Sequence, residues 1–124
     1  TSHNSTCYLS NGRLLPNKVG ISSNTVTLSL NTYNNFHIYA NTYISNIHLL
    51  TPITGQSGHI IIQNVGDVSH GSINWTVNYS APGSLKWARG NIPTLSSTNG
   101  YVDIISYYVV SPTCVLMNAS IGYR

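Results

Sequence analysis

The chain has 124 residues, enough for one domain with its own core. Only 6% of its residues are charged, against about 25% in ordinary soluble domains. Its five cations, Arg13, Lys18, Lys86, Arg89 and Arg124, are scattered, which excludes the clustered phosphate-neutralising surface of a nucleic-acid binder. No apolar run approaches the ~18 residues of a membrane span. Polarity comes instead from 15 Asn, 17 Ser and 12 Thr, while 41% hydrophobic residues argue for a folded chain. A surface so poor in charge offers little repulsion between subunits and suits packing against copies of itself.

Residues 1–24 are irregular; "LLPNKVG" (14–20) reads as a loop, so this segment is expected to be an N-terminal arm or a first strand. From residue 25 onward the pattern has period two. "TVTLSL" (25–30) sets Val26, Leu28 and Leu30 against threonine and serine, and "FHIYA" (36–40) sets Phe36, Ile38 and Ala40 on one face. "SNIHLL" (45–50) follows, then "GHIIIQN" (58–64), apolar on both faces as a central strand would be. "SINWTVNY" (72–79) alternates again, and "YVDIISYYVV" (101–110) and "CVLMNASIGY" (114–123) complete the set. Turn chemistry separates these runs: "NTYNN", "TPITGQSG", "NVGDVSHG", "APGS" and "STNG". Helix formers are scarce and Glu is absent. Strands every 10 to 14 residues predict an all-β fold, an antiparallel β-sandwich of jelly-roll type over residues 25–124, in one domain overall.

The stretch "SLKWARGNIPTLSSTNGYVDIISYYVV" (84–110) concentrates Lys86, Arg89 and Asp103 in a chain that holds few charges. Gly90 is free to take positive φ and Pro93 fixes re-entry, so "ARGNIP" reads as a turn, with Trp87 buried at a strand end and Asp103 pairing with Lys86 or Arg89 or accepting turn N–H groups. Lys86, Trp87, Gly90, Pro93, Thr94, Leu95, Gly100, Val102, Asp103, Ile105 and Ser106 together resemble a module of bacteriophage virion proteins, found in tail-fibre and head-fibre domains. Its pattern is V-K-W-x-x-G-x-x-P-T-L-T, a Gly turn, then D-V-I-S-F and an aromatic-rich strand. Ala88-Arg89 and Leu116-Met117 depart from it. The resemblance spans roughly residues 25–124 and implies a structural, non-enzymatic role at a virion surface, as a fibre, spike or capsid-decorating subunit among copies of itself and other virion proteins.

Signals for other chemistry are sparse. Asp67 and Asp103, the only acids, fall in different segments and do not read as the carboxylate pair of a hydrolase. No nucleophile elbow and no phosphate-cradling glycine loop is present. His37, His48, His59 and His70 recur every 11 residues without an H-x-H pair; in a meander, successive strands reverse, so equal spacing does not set equal height, and no metal or other cofactor is expected. Cys7 and Cys114 lie near opposite ends and are either bridged or two buried thiols; a bridge would contribute about 4 kcal/mol in the loop-entropy model. Asn4, Asn74, Asn78 and Asn118 head N-x-S/T sequons, candidate N-glycosylation sites in a secreted context. Two further roles follow from these features. One is a secreted, extracellular pilus-like filament subunit assembled by strand addition. The other is a module that binds cell-surface glycans through its nine Tyr and two Trp.

Overall fold

The computed structural model describes residues 9–10, 13–79 and 84–124. The fold is all-β. Its strands are β1 (Leu9–Ser10), β2 (Arg13–Leu14), β3 (Asn17–Val19), β4 (Thr25–Ser29), β5 (Phe36–Ala40), β6 (Asn46–Leu50), β7 (Ser57–Asn64), β8 (Asn74–Val77), β9 (Leu85–Trp87), β10 (Val102–Ser111) and β11 (Cys114–Tyr123), with a 3-10 turn at Ala88–Gly90. Among the described residues, β1 and β2 pair only with each other, antiparallel. The rest form a six-stranded sheet, β3-β5-β7-β10-β11-β9, and a three-stranded sheet, β4-β6-β8.

From β3 to β8 each strand enters the sheet that its predecessor did not, and strands two apart in sequence pair in parallel. The chain is therefore a coil of three turns, each contributing one strand to each sheet. The expected antiparallel jelly-roll pairing is not what these strands adopt. Alternation with period two says which residues face the core, and it is the same for parallel and antiparallel neighbours. The direction is set at the corners. Ser23 and Asn24 both have positive φ (51° and 59°), and the Asn24 carbonyl accepts Ser45 N–H at 2.7 Å while its amide donates to Tyr43 O at 2.9 Å. Ser45 O in turn accepts Asn74 N–H at 2.9 Å, so each corner is bonded to the corner of the next turn. Asn tolerates the left-handed conformation because its short amide can bond locally.

In the six-stranded sheet, antiparallel pairing enters with β10, which closes on β7, and β11, which returns beside β10; β9 then adds in parallel to β11. Asparagine and threonine line the outer face of the three-stranded sheet in bonded rows: Asn74 Nδ2 donates to Asn46 Oδ1 (3.2 Å), and Asn46 Nδ2 to Thr25 Oγ1 (3.4 Å).

Both sheets feed one apolar core. Val26, Leu28, Ile47, Leu49, Trp75 and Val77 come from one, and Phe36, Ile38, Ile60, Ile62, Ile105 and Val115 from the other. Gly58 is required by packing: a Cβ there would collide with the Asn34 carbonyl and approach the Tyr107 hydroxyl at 2.9 Å. That hydroxyl donates to Asn34 O, and Gln56 Nε2 bonds Leu30 O (2.7 Å) and Tyr33 O (3.0 Å) beside it. Residues 17–19 of the segment expected as an arm or a first strand form the edge strand β3.

Candidate functional site

The outer face of the six-stranded sheet mixes exposed aromatic and aliphatic side chains with amides, hydroxyls, imidazoles and two lysines. Register places Lys86, Leu116 and Tyr108 in one row across β9, β11 and β10, and Asn118, Ser106 and His59 in the next. A third row runs Ser120, Ile104, Ile61, His37 and Lys18. Tyr108, Val110, Leu116, Tyr39 and Tyr123 are exposed by 36 to 52%. Neither acid contributes to these rows, since Asp103 is buried and Asp67 lies between β7 and β8. Toward β9 the face sinks into a groove of about 420 Å³ lined by Lys86, Ala88, Ser106, Tyr108, Leu116 and Asn118. A second hollow of about 330 Å³ adjoins it and shares Trp87, Ala88 and Asn118, with Arg89 and Asn91 at its rim.

Of the two arrangements expected for Asp103, the acceptance of backbone N–H groups is the one found, at Ser96 and Gly122 rather than within the 86–93 turn. Arg89 (φ 59°) and Gly90 (φ 69°) form that turn with the left-handed backbone foreseen for Gly90. Trp87 is half-buried and meets Trp75 edge to face, ring centroids 5.0 Å apart. Asp103 does not pair with Lys86 or Arg89. Its carboxylate accepts Ser96 N–H (2.7 Å), Ser96 Oγ–H (2.7 Å) and Gly122 N–H (2.9 Å), and it is 2% exposed. Pro93 and the rest of the re-entrant segment lead into Ser96, so the acid holds the far end of the connection. Three donors converging on one carboxylate satisfy its charge without a cation.

Asp103 terminates a longer polar chain. Ile44 N–H donates to His70 Nδ1 at 3.0 Å, which fixes the imidazole proton on Nε2, and Nε2 lies 2.8 Å from Asn64 Oδ1. Asn64 Nδ2 donates to Ser96 O at 2.6 Å. Burial pushes the His70 pKa below its ordinary 6.5, and the charge of Asp103 opposes this only in part. A serine, a histidine and an aspartate thus share one network, but not in the order of a nucleophilic triad: Ser96 Oγ–H points to the acid, and both imidazole nitrogens are occupied elsewhere.

The histidine spacing has a structural origin that a meander would not give. Two strands per coil turn make 11 residues about half a turn, so His37, His48 and His59 fall in β5, β6 and β7, on alternate sheets, and His70 precedes β8. They do not converge: His37 stacks on Tyr39 at 4.2 Å, His48 bonds Thr76, His59 is exposed and His70 is buried. Among the described residues no three His, Cys, Asp or Glu side chains come together.

Asn74 and Asn118 are exposed, and Asn78 Oδ1 accepts Thr51 N–H at 2.8 Å, so it holds a corner of the coil. Asn4 lies outside the described residues, as does Cys7; Cys114 is a half-buried free thiol at the start of β11. Among the described residues no helix is long and apolar enough to cross a membrane.

The sheet edges were not legible in the sequence. The central residue of β3 is Lys18 and that of β9 is Lys86, and these strands are the two edges of the six-stranded sheet. In the three-stranded sheet, Ser22 bridges Thr25 along the outside of β4, and Trp87 packs against Trp75 of β8. No family model, no curated protein and no solved structure matches this chain.

Proposed function

We propose that this chain is a non-enzymatic structural subunit that assembles with copies of itself through the outer face of its six-stranded sheet, as part of a virion fibre, spike or capsid decoration. The observation that carries the reading is the exposed apolar area of that face, centred on Tyr108 and Leu116, on a domain whose core is already complete without it. The absence of carboxylates from the face supports it, because its two ammonium groups stand on the outermost strands, away from the Tyr108–Leu116 centre or at its margin. The virion setting rests on the resemblance over roughly residues 25–124, carried chiefly by residues 84–110. Imaging of the native material tests it: discrete oligomers or fibres support the reading, and isolated 13.5 kDa particles oppose it.

Strand addition to a filament is the weaker assembly route. Lysine stands at the centre of both edges of the larger sheet, and Ser22 bridges Thr25 at the β4 edge of the smaller one. A glycan-binding role draws on one specific observation, the groove in which Tyr108 and Leu116 lie beside Ser106, Asn118 and Lys86. Screening on a glycan array separates it from pure assembly.

A further inference from the structure

His70 bonds through both ring nitrogens to parts of the chain far apart in sequence. Nδ1 accepts from Ile44, in the connection between β5 and β6, and Nε2–H donates to Asn64, the last residue of β7. His70 itself belongs to the connection between β7 and β8 and is 5% exposed. Through Asn64 the chain of bonds continues to Ser96, through Ser96 to Asp103 of β10, and through Asp103 to Gly122 of β11. The neutral imidazole thus joins two connections of the coil directly and stands at the head of a chain of bonds to its closing hairpin, and its Nδ1 must carry a lone pair.

We propose that His70 is an acid-operated latch: a proton on Nδ1 turns this acceptor into a donor facing the Ile44 N–H, breaks that bond, and frees the β7–β8 connection from the coil. The site is too buried for water to replace the lost partner without opening. The groups facing His70 do not neutralise the effect. Ile44 contributes a backbone N–H, and Asn64 and Ser96 are uncharged. Asp103 on β10 is the charged group that bears on it, and its oxygens already hold three donors. Asp67, on the same connection as His70, accepts Asn99 N–H at 2.9 Å.

Only the open form takes up the proton at the ordinary histidine value of 6.5. Opening should then grow as pH falls below that value, by at most tenfold for each pH unit. Amide hydrogen exchange of the intact chain, corrected for intrinsic rates and followed by NMR from pH 7.5 to 5.5, reads this directly. The latch predicts that protection of the Ile44 amide is nearly constant around pH 7.5 and falls progressively toward pH 5.5, with tenfold as the limit, while the Ile105 amide in β10 keeps its protection. His70→Gln should abolish the pH slope at Ile44, and His37→Gln should leave it. A flat Ile44 profile in the native chain overturns the proposal, whether or not the His70 variant folds. A fall at Ile105 by the same factor also overturns it, because the event would then be global unfolding.

Discussion

Lys18 and Lys86, the only two lysines of the chain, occupy the middle positions of the two outermost strands of the same sheet. Lys18 reaches back over the Tyr39 ring at 4.8 Å, and Lys86 is exposed beside Leu116. A lysine at the centre of an edge strand obstructs the docking of another strand, because pairing would bury an ammonium. This gives a physical reason for charge in a chain that otherwise avoids it, and it accords with the proposed assembly through a face rather than an edge. Replacing both lysines with valine should leave stability within about 0.5 kcal/mol, since neither side chain is in the core. Light scattering of the native double variant should nevertheless rise with time at concentrations where the parent stays clear. A variant as clear as the parent would show that the lysines do not guard the edges.

Asp103 gathers two segments through three donors, and its substitution should be costly although no cation is involved. Asn is nearly isosteric but offers one acceptor oxygen and turns an NH₂ toward groups that are themselves donors. Asp103→Asn is expected to lose about 2–3 kcal/mol in denaturant unfolding, the scale of unsatisfied buried donors. A loss below about 0.5 kcal/mol, the scale of a neutral surface change, would mean that the carboxylate is dispensable.

Gly58 gives a prediction from sterics alone. Any Cβ at this position meets the Asn34 carbonyl, which is backbone and accepts the Tyr107 hydroxyl. Gly58→Ala should cost at least the ~1–3 kcal/mol typical of overpacking. A thermal melt should show it, whereas Gly20→Ala, where nothing lies within 4 Å of an added Cβ, serves as the mild control. Equal melting temperatures for the two variants would contradict the packing described around Asn34.

The strands themselves were largely legible: "FHIYA" and "CVLMNASIGY" coincide with β5 and β11, and the others match within a few residues. Their partners were not. The alternation of Val26 and Leu28 predicts a buried face and nothing about direction, and a five-residue link such as 41–45 can turn back beside its own strand or cross to the facing layer. The 11-residue histidine interval was the one trace of the coil, and it was visible only as a repeat without geometry. β9 escaped because three residues are too few for a periodicity. The partner of Asp103 escaped because Ser96 is one serine among 17, while Lys86 and Arg89 are conspicuous charges. The outer face could be read only in part: "VDIISYYVV" alternates imperfectly, and the Tyr108–Leu116 pair that centres the face is set by register across two strands.

Assembly through the outer face is the central claim, and sedimentation velocity of the parent chain beside a Tyr108→Ser/Leu116→Lys variant tests it most directly. Both side chains are about half exposed and absent from the core, so the variant should melt like the parent. A stable, specific contact buries about 1,200 Å² or more, and removing its apolar centre while adding a charge should dissolve it. The account predicts an oligomer for the parent and a monomer for the variant at micromolar concentration. A parent that sediments only as a well-behaved monomer would contradict assembly itself, and an oligomeric variant would contradict the face assigned to it.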